Sequence, residues 1–157
     1  MATFYGWVRT TREVLLSHLE AMGGEAYRAP QDVLGGESLA ERHRHVAGCY
    51  AVWLGRVALG DPDAVPLAGS PWPEPAAARS AFAQVDALVA RFLDRFGDAL
   101  DQTLERRWRG RTIEVTPRWL LAHPITHEFH HKGQIVVACR LSGAPAPDTD
   151  LVPPGGW

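Results

Sequence analysis

The chain has 157 residues, 46% of them hydrophobic, with a formal net charge of -2 and two cysteines. That length and apolar content suit one folded unit over residues 1–157 and argue against disorder, and the near-neutral charge gives no electrostatic reason to expect a nucleic-acid partner. Cys49 and Cys139 lie far apart and in no Cys-x-x-Cys pair, so neither a disulfide framework nor a thiolate zinc site is indicated.

Arg9, Arg12 and Glu13 arrive too early for a signal peptide, and no segment reaches the roughly 18 uncharged apolar residues of a membrane span. The expectation is a soluble, cytoplasmic protein without a membrane partner. Phe4, Trp7, Val8, Thr11, Val14, Leu15, His18, Leu19 and Met22 recur at steps of three and four, predicting a first helix that Gly23 and Gly24 stop. Residues 27–36 hold Pro30 and two glycines and read as a loop. Ser38 then caps a second helix carrying Leu39, Val46, Tyr50, Trp53, Leu54 and Val57, which Gly60, Asp61 and Pro62 end.

Residues 62–75 are proline-rich and predict a long connection without regular structure. Phe82, Val85, Val89, Phe92 and Phe96 give a third helix with a core-facing seam. Residues 104–108 and 112–115, separated by Arg109, Gly110 and Arg111, predict a short β-hairpin. Pro117 suits the first turn of a last helix that ends at Ser142 and Gly143, and Pro124 inside it should kink it at a cost of about 3 kcal/mol. The tail, residues 144–157, reads as a surface strap or a loose end. The predicted fold is all-α, a four-helix bundle with a short hairpin before the last helix.

The last helix carries the chemistry. His127-Glu128-Phe129-His130-His131 sets two imidazoles four residues apart, on one helical face and roughly 6 Å from each other, which suits a shared divalent metal. Bundles build such sites from facing helices, so the third ligand is sought on helix two, where His43 and His45 point about 200° apart. His45 lies toward Val46, Cys49, Val52 and Trp53, whereas His43 sits between Arg42 and Arg44 in a patch typical of solvent, so His45 is the expected ligand. Three neutral imidazoles leave coordination positions open, as a catalytic site requires. His123, one turn before His127, is placed to reach the edge of the site or hydrogen-bond a ligand, and His130 to face a neighbour or solvent.

The same pentapeptide spells the His-Glu-x-x-His pattern of zinc proteases, with Glu128 as general base. No histidine follows His131, so the extended metzincin pattern is absent, and Glu128 reads instead as a solvent-facing or salt-bridged helix residue.

Residues 127–135, with Lys132, Gly133 and Gln134 after the second histidine, resemble the signature of the DinB/YfiT-like superfamily. His45-Val46-Ala47-Gly48 followed by Trp53-Leu54 is similar to its helix-two segment, and Arg140-Leu141-Ser142-Gly143 with Pro145, Pro147, Asp148, Thr149 and Asp150 to its tail. The resemblance implies a DinB/YfiT-type bundle with His45, His127 and His131 as ligands of a divalent metal, zinc or nickel, and a homodimer. It also implies that Gly133 lets the last helix approach a neighbour and that Gln134 is structural. Better understood relatives are bacillithiol S-transferases and mycothiol-dependent isomerases, which implies a small-molecule electrophile and a low-molecular-weight thiol as partners. A metal-dependent hydrolase and a metal-stabilised bundle without turnover are the alternatives.

Overall fold

A computed structural model describes residues 1–65 and 72–151. Helix α1 (Ala2–Met22) ends at Gly23, whose φ of 88° halts the chain before a short α2 (Gly24–Arg28) and a 3-10 turn at Asp32–Leu34. The predicted loop after α1 therefore contains local helix. Helix α3 (Leu39–Tyr50) begins at Ser38 with a reciprocal cap: Ser38 Oγ accepts from the Glu41 N–H at 3.2 Å, and the Ser38 N–H donates to the Glu41 carboxylate at 2.7 Å. It continues as a π-helical segment, Ala51–Leu59, that Gly60 closes in the left-handed conformation.

Helix α4 (Pro75–Phe96) buries Phe82, Val85, Leu88, Val89, Phe92 and Phe96 along the predicted seam. Strands β1 (Leu104–Trp108) and β2 (Arg111–Val115) pair antiparallel, with Leu104 opposite Val115 and Trp108 opposite Arg111. Arg109 and Gly110 supply the positive φ angles, 48° and 79°, that a two-residue hairpin loop demands. Helix α5 (Pro117–Leu141) starts with the Thr116 hydroxyl accepting from the Trp119 N–H and runs unbroken through the buried Pro124. The predicted connection at 62–75 lies outside the described residues over 66–71, and the tail does so over 152–157.

The fold is thus all-α with a small hairpin, as the periodicities predict. Helix α1 packs on α4, α3 on α4 and α5, and the π-helical segment on α4, α5 and β1. Leu15, Leu16, Leu19, Tyr50, Leu54, Phe92, Leu120, Leu121 and Ile135 fill the centre, each below 2% exposed, and full burial of one such aliphatic side chain is worth about 1.5–3 kcal/mol.

The inward face of α1 differs from the predicted stripe. Trp7 and Val14 are 46% and 43% exposed, while Tyr5, Arg12 and Leu16 are buried. The stripe is rotated because Arg12 occupies a core position, which its partners make tolerable. Its Nε and Nη2 donate to the two oxygens of Glu128 at 2.8 and 2.9 Å, and its Nη1 donates to Asp86 at 2.8 Å. Tyr50 Oη donates to Glu128 at 2.7 Å, and Lys132 Nζ to the Thr11 hydroxyl. Glu128 is therefore salt-bridged and buried, and the solvent-facing alternative falls. Burial by itself would raise its carboxyl pKa; Arg12, with Lys132 and Tyr50, outweighs this and holds it below the usual range.

Candidate metal centre

Two helices meet at the histidines. The segment of α3 set by the Ser38 cap carries His45, and the middle of α5 carries His127 and His131 four residues apart. One ring nitrogen from each lies within 4.8 Å of the others, and the Nε2 atoms of His45 and His127 are 2.9 Å apart. Two donors at that separation can both reach one ion at the ~2.0–2.1 Å typical of zinc–imidazole bonds. His45 is exposed, His127 half-buried and His131 buried, so the cluster opens toward solvent from the His45 side.

The chain orients the ring of His131. Gln134 Oε1 lies 2.7 Å from His131 Nδ1; with Nδ1 protonated and donating to it, Nε2 keeps its lone pair. That Nε2 is one of three buried side-chain nitrogens without a hydrogen-bond partner among the described residues, the others being His18 Nε2 and Arg42 Nε. Two of the three belong to this cluster, since Arg42 Nη1 approaches His131 Nδ1 at 3.5 Å and Arg42 Nη2 pairs with Glu37 at 2.6 Å. Buried polar atoms left without a partner are costly, and an orphan lone pair aimed among imidazoles has the chemistry of a cation ligand.

Electrostatics favour the neutral imidazoles that ligation requires. Burial, then His131 and His45, lower the pKa of His127 to about 4. Burial also lowers that of His131, with Gln134 opposing and the neighbouring His45, Arg42 and His130 adding to the fall. No carboxylate joins the trihistidine group among the described residues, and Glu128 is engaged by Arg12 and Tyr50 in the core. A second opening, a cleft of about 850 Å³ between α1 and α4, contains none of these histidines, and its Arg9 and Arg79 are already paired with Asp86 and with Glu13 and Glu20.

Several expectations change. His43, placed at the surface by its arginine neighbours, is 3% exposed, with Nδ1 3.0 Å from Tyr27 Oη; His45 is the exposed one. His45 reaches the cluster because α5, not the core, covers that side of α3. His123 keeps its expected place at the edge of the site, stacked on His127 with centroids 6.0 Å apart and planes 17° apart, without a hydrogen bond to a cluster histidine. A Cβ on Gly133 would meet nothing within 4 Å among the described residues, so no close helix approach among them explains that glycine. The contribution of Gln134 was missed, although its i+3 offset from His131 was the available signal. His130 is exposed and stands 3.2 Å from the Gln134 amide. No helix among the described residues is long and apolar enough to cross a membrane.

Fold and cluster together define a helical-bundle protein with an interhelical trihistidine site. The family model described as the DinB family matches residues 1–153, and the chain belongs to that family. Comparison with curated proteins and with solved structures found no match.

Proposed function

We propose that His45, His127 and His131 hold a divalent cation, zinc or nickel, and that the protein is a metal-dependent thiol S-transferase. The orphaned Nε2 of His131, fixed by Gln134 and facing two further imidazoles, carries the reading. A cation held by three neutral ligands keeps its full charge and, when bound, lowers the pKa of a coordinated thiol so that it reacts near neutral pH. In the transfer the sulfur bonds to the electrophile, the leaving group departs with the electron pair, and the thiol proton passes to solvent. The residues of the chain position and give access: Gln134 orients His131, the Arg42–Glu37 ion pair flanks it, and the exposed side of His45 leaves an approach for thiol and electrophile.

The same centre, when loaded, would also lower the pKa of bound water, so the dependence of turnover on added thiol is the observation that separates transfer from hydrolysis.

Elemental analysis of protein prepared without chelators is expected to find about one divalent ion per chain and to lose it in His45→Ala. The loaded protein should consume 1-chloro-2,4-dinitrobenzene only when a low-molecular-weight thiol such as bacillithiol, mycothiol or glutathione is supplied. Unchanged metal content in His45→Ala would remove the centre; turnover without thiol would remove the transferase.

A further inference from the structure

Residues Trp119, His123 and His127 follow one another at four-residue steps along one face of α5, and their rings form a column. Trp119 and His123 stack with centroids 5.1 Å apart and planes 21° apart, and His123 stacks on His127 in turn. A second wall stands across the column. Trp53, in the π-helical segment, meets Trp119 at 5.0 Å and 80° and His123 at 4.9 Å and 63°, and Trp108 at the hairpin tip lies 4.8 Å from Trp53 at 35°. The two walls make an aromatic corner that runs directly into the histidine cluster.

The corner is open and rigidly mounted. Trp119 is 44% exposed, yet its turn is fixed by Pro117 at the first helical position, by the Thr116 cap, and by Arg118, which donates twice to Asp101 at 2.7 Å. An indole held in this way presents a flat π-surface to solvent at little further entropic cost to a ligand. At the hairpin end the Arg109 guanidinium lies 5.3 Å from the Trp108 ring, where it would repel a cationic ligand.

We propose that this corner is the substrate platform, which takes a flat, conjugated or aromatic electrophile, uncharged or anionic, and lays it against the exposed Trp119 indole beside the reaction centre. The proposal rests on reading the trihistidine cluster as that centre. Its test separates the two. Binding of 2-naphthol, flat and uncharged, is measured by titration calorimetry against its saturated analogue 2-decalol on metal-loaded protein.

The naphthol is expected to bind about tenfold more tightly than the decalol, the scale of one or two aromatic contacts. Trp119→Ala should lose about that factor with its helical circular dichroism intact, and Trp119→Phe should keep most of it. His45→Ala, stripped of metal, should still bind naphthol within about twofold. Equal binding of the two alcohols, or Trp119→Ala binding naphthol like the unmodified chain, overturns the platform whatever the metal analysis gives. Loss of naphthol binding in Trp119→Ala beside unchanged metal content in His45→Ala keeps the platform and discards the centre.

Discussion

Glu128 sits between two candidate ligands in sequence, yet its side chain belongs to the core. From α5 it points between α1 and α3, where the Arg12 fork of α1 and the Tyr50 hydroxyl of α3 take up its oxygens. Removing one member leaves the other as a buried, uncompensated charge. Arg12→Met is therefore expected to cost about 3–5 kcal/mol of unfolding free energy in a urea titration, with Arg12→Met/Glu128→Leu recovering much of it. Metal content in the double variant should equal that of the unmodified chain; a fall would return Glu128 to the site. At this scale the histidine pair was legible because i and i+4 share a helical face whatever the tertiary context. His45, not His43, stands beside His127 and His131, although His43 is the buried one and His45 the exposed, the reverse of the expected orientation. Neighbouring arginines signal solvent only when they have no partners, and whether a position faces core, solvent or another helix depends on packing that one helix does not encode.

Among the elements, helix lengths, the Ser38 cap, the hairpin and the seam of α4 followed from periodicity and turn chemistry. The π-helical segment did not, since its wider turn leaves no local sequence mark, and it is what sets Trp53 against α5. Gly55 within it is a packing requirement: a Cβ there would stand 2.8 Å from both the Ala64 side chain and the Asp61 carbonyl. Gly55→Ala should destabilise by about 1–3 kcal/mol. Gly133→Ala, at an open helical position, should instead stabilise the monomeric chain by up to about 1 kcal/mol. Thermal melts of the two variants check both signs, and a destabilised Gly133→Ala would reveal a neighbour outside the described residues.

For the molecule as a whole, acid sensitivity follows from imidazoles folded in their neutral form. Burial brings the pKa of His43 to about 4, with Glu128 opposing and Arg12 and Lys132 contributing, against about 6.5 in an unfolded chain. Between those values the unfolded state binds the proton and the folded state does not, so stability falls as pH drops from about 6.5 to about 4. Above about 6.5 this group contributes no slope. His127 acts in the same direction in metal-free protein, with its pKa also about 4. Urea titrations of chelator-treated protein across this range should show the decline, and His43→Gln should show a shallower one; an unchanged slope would mean that His43 is hydrated. The bundle class was legible from four apolar stripes. The rotation of α1 was not, because a buried arginine reads as a surface residue until its acid is found on another helix.

The aromatic corner also makes the protein its own spectroscopic instrument. Of the six tryptophans, Trp108 and Trp119 hold their ring centroids 4.8 and 5.0 Å from that of Trp53, at non-parallel angles of 35° and 80°. Indoles held so close couple their strongest transitions, which adds a signed couplet to the far-ultraviolet circular dichroism that isolated side chains do not give. Its intensity reports whether α5, the hairpin and the π-helical segment are docked, and does so without a label at the end of the molecule where the histidines converge.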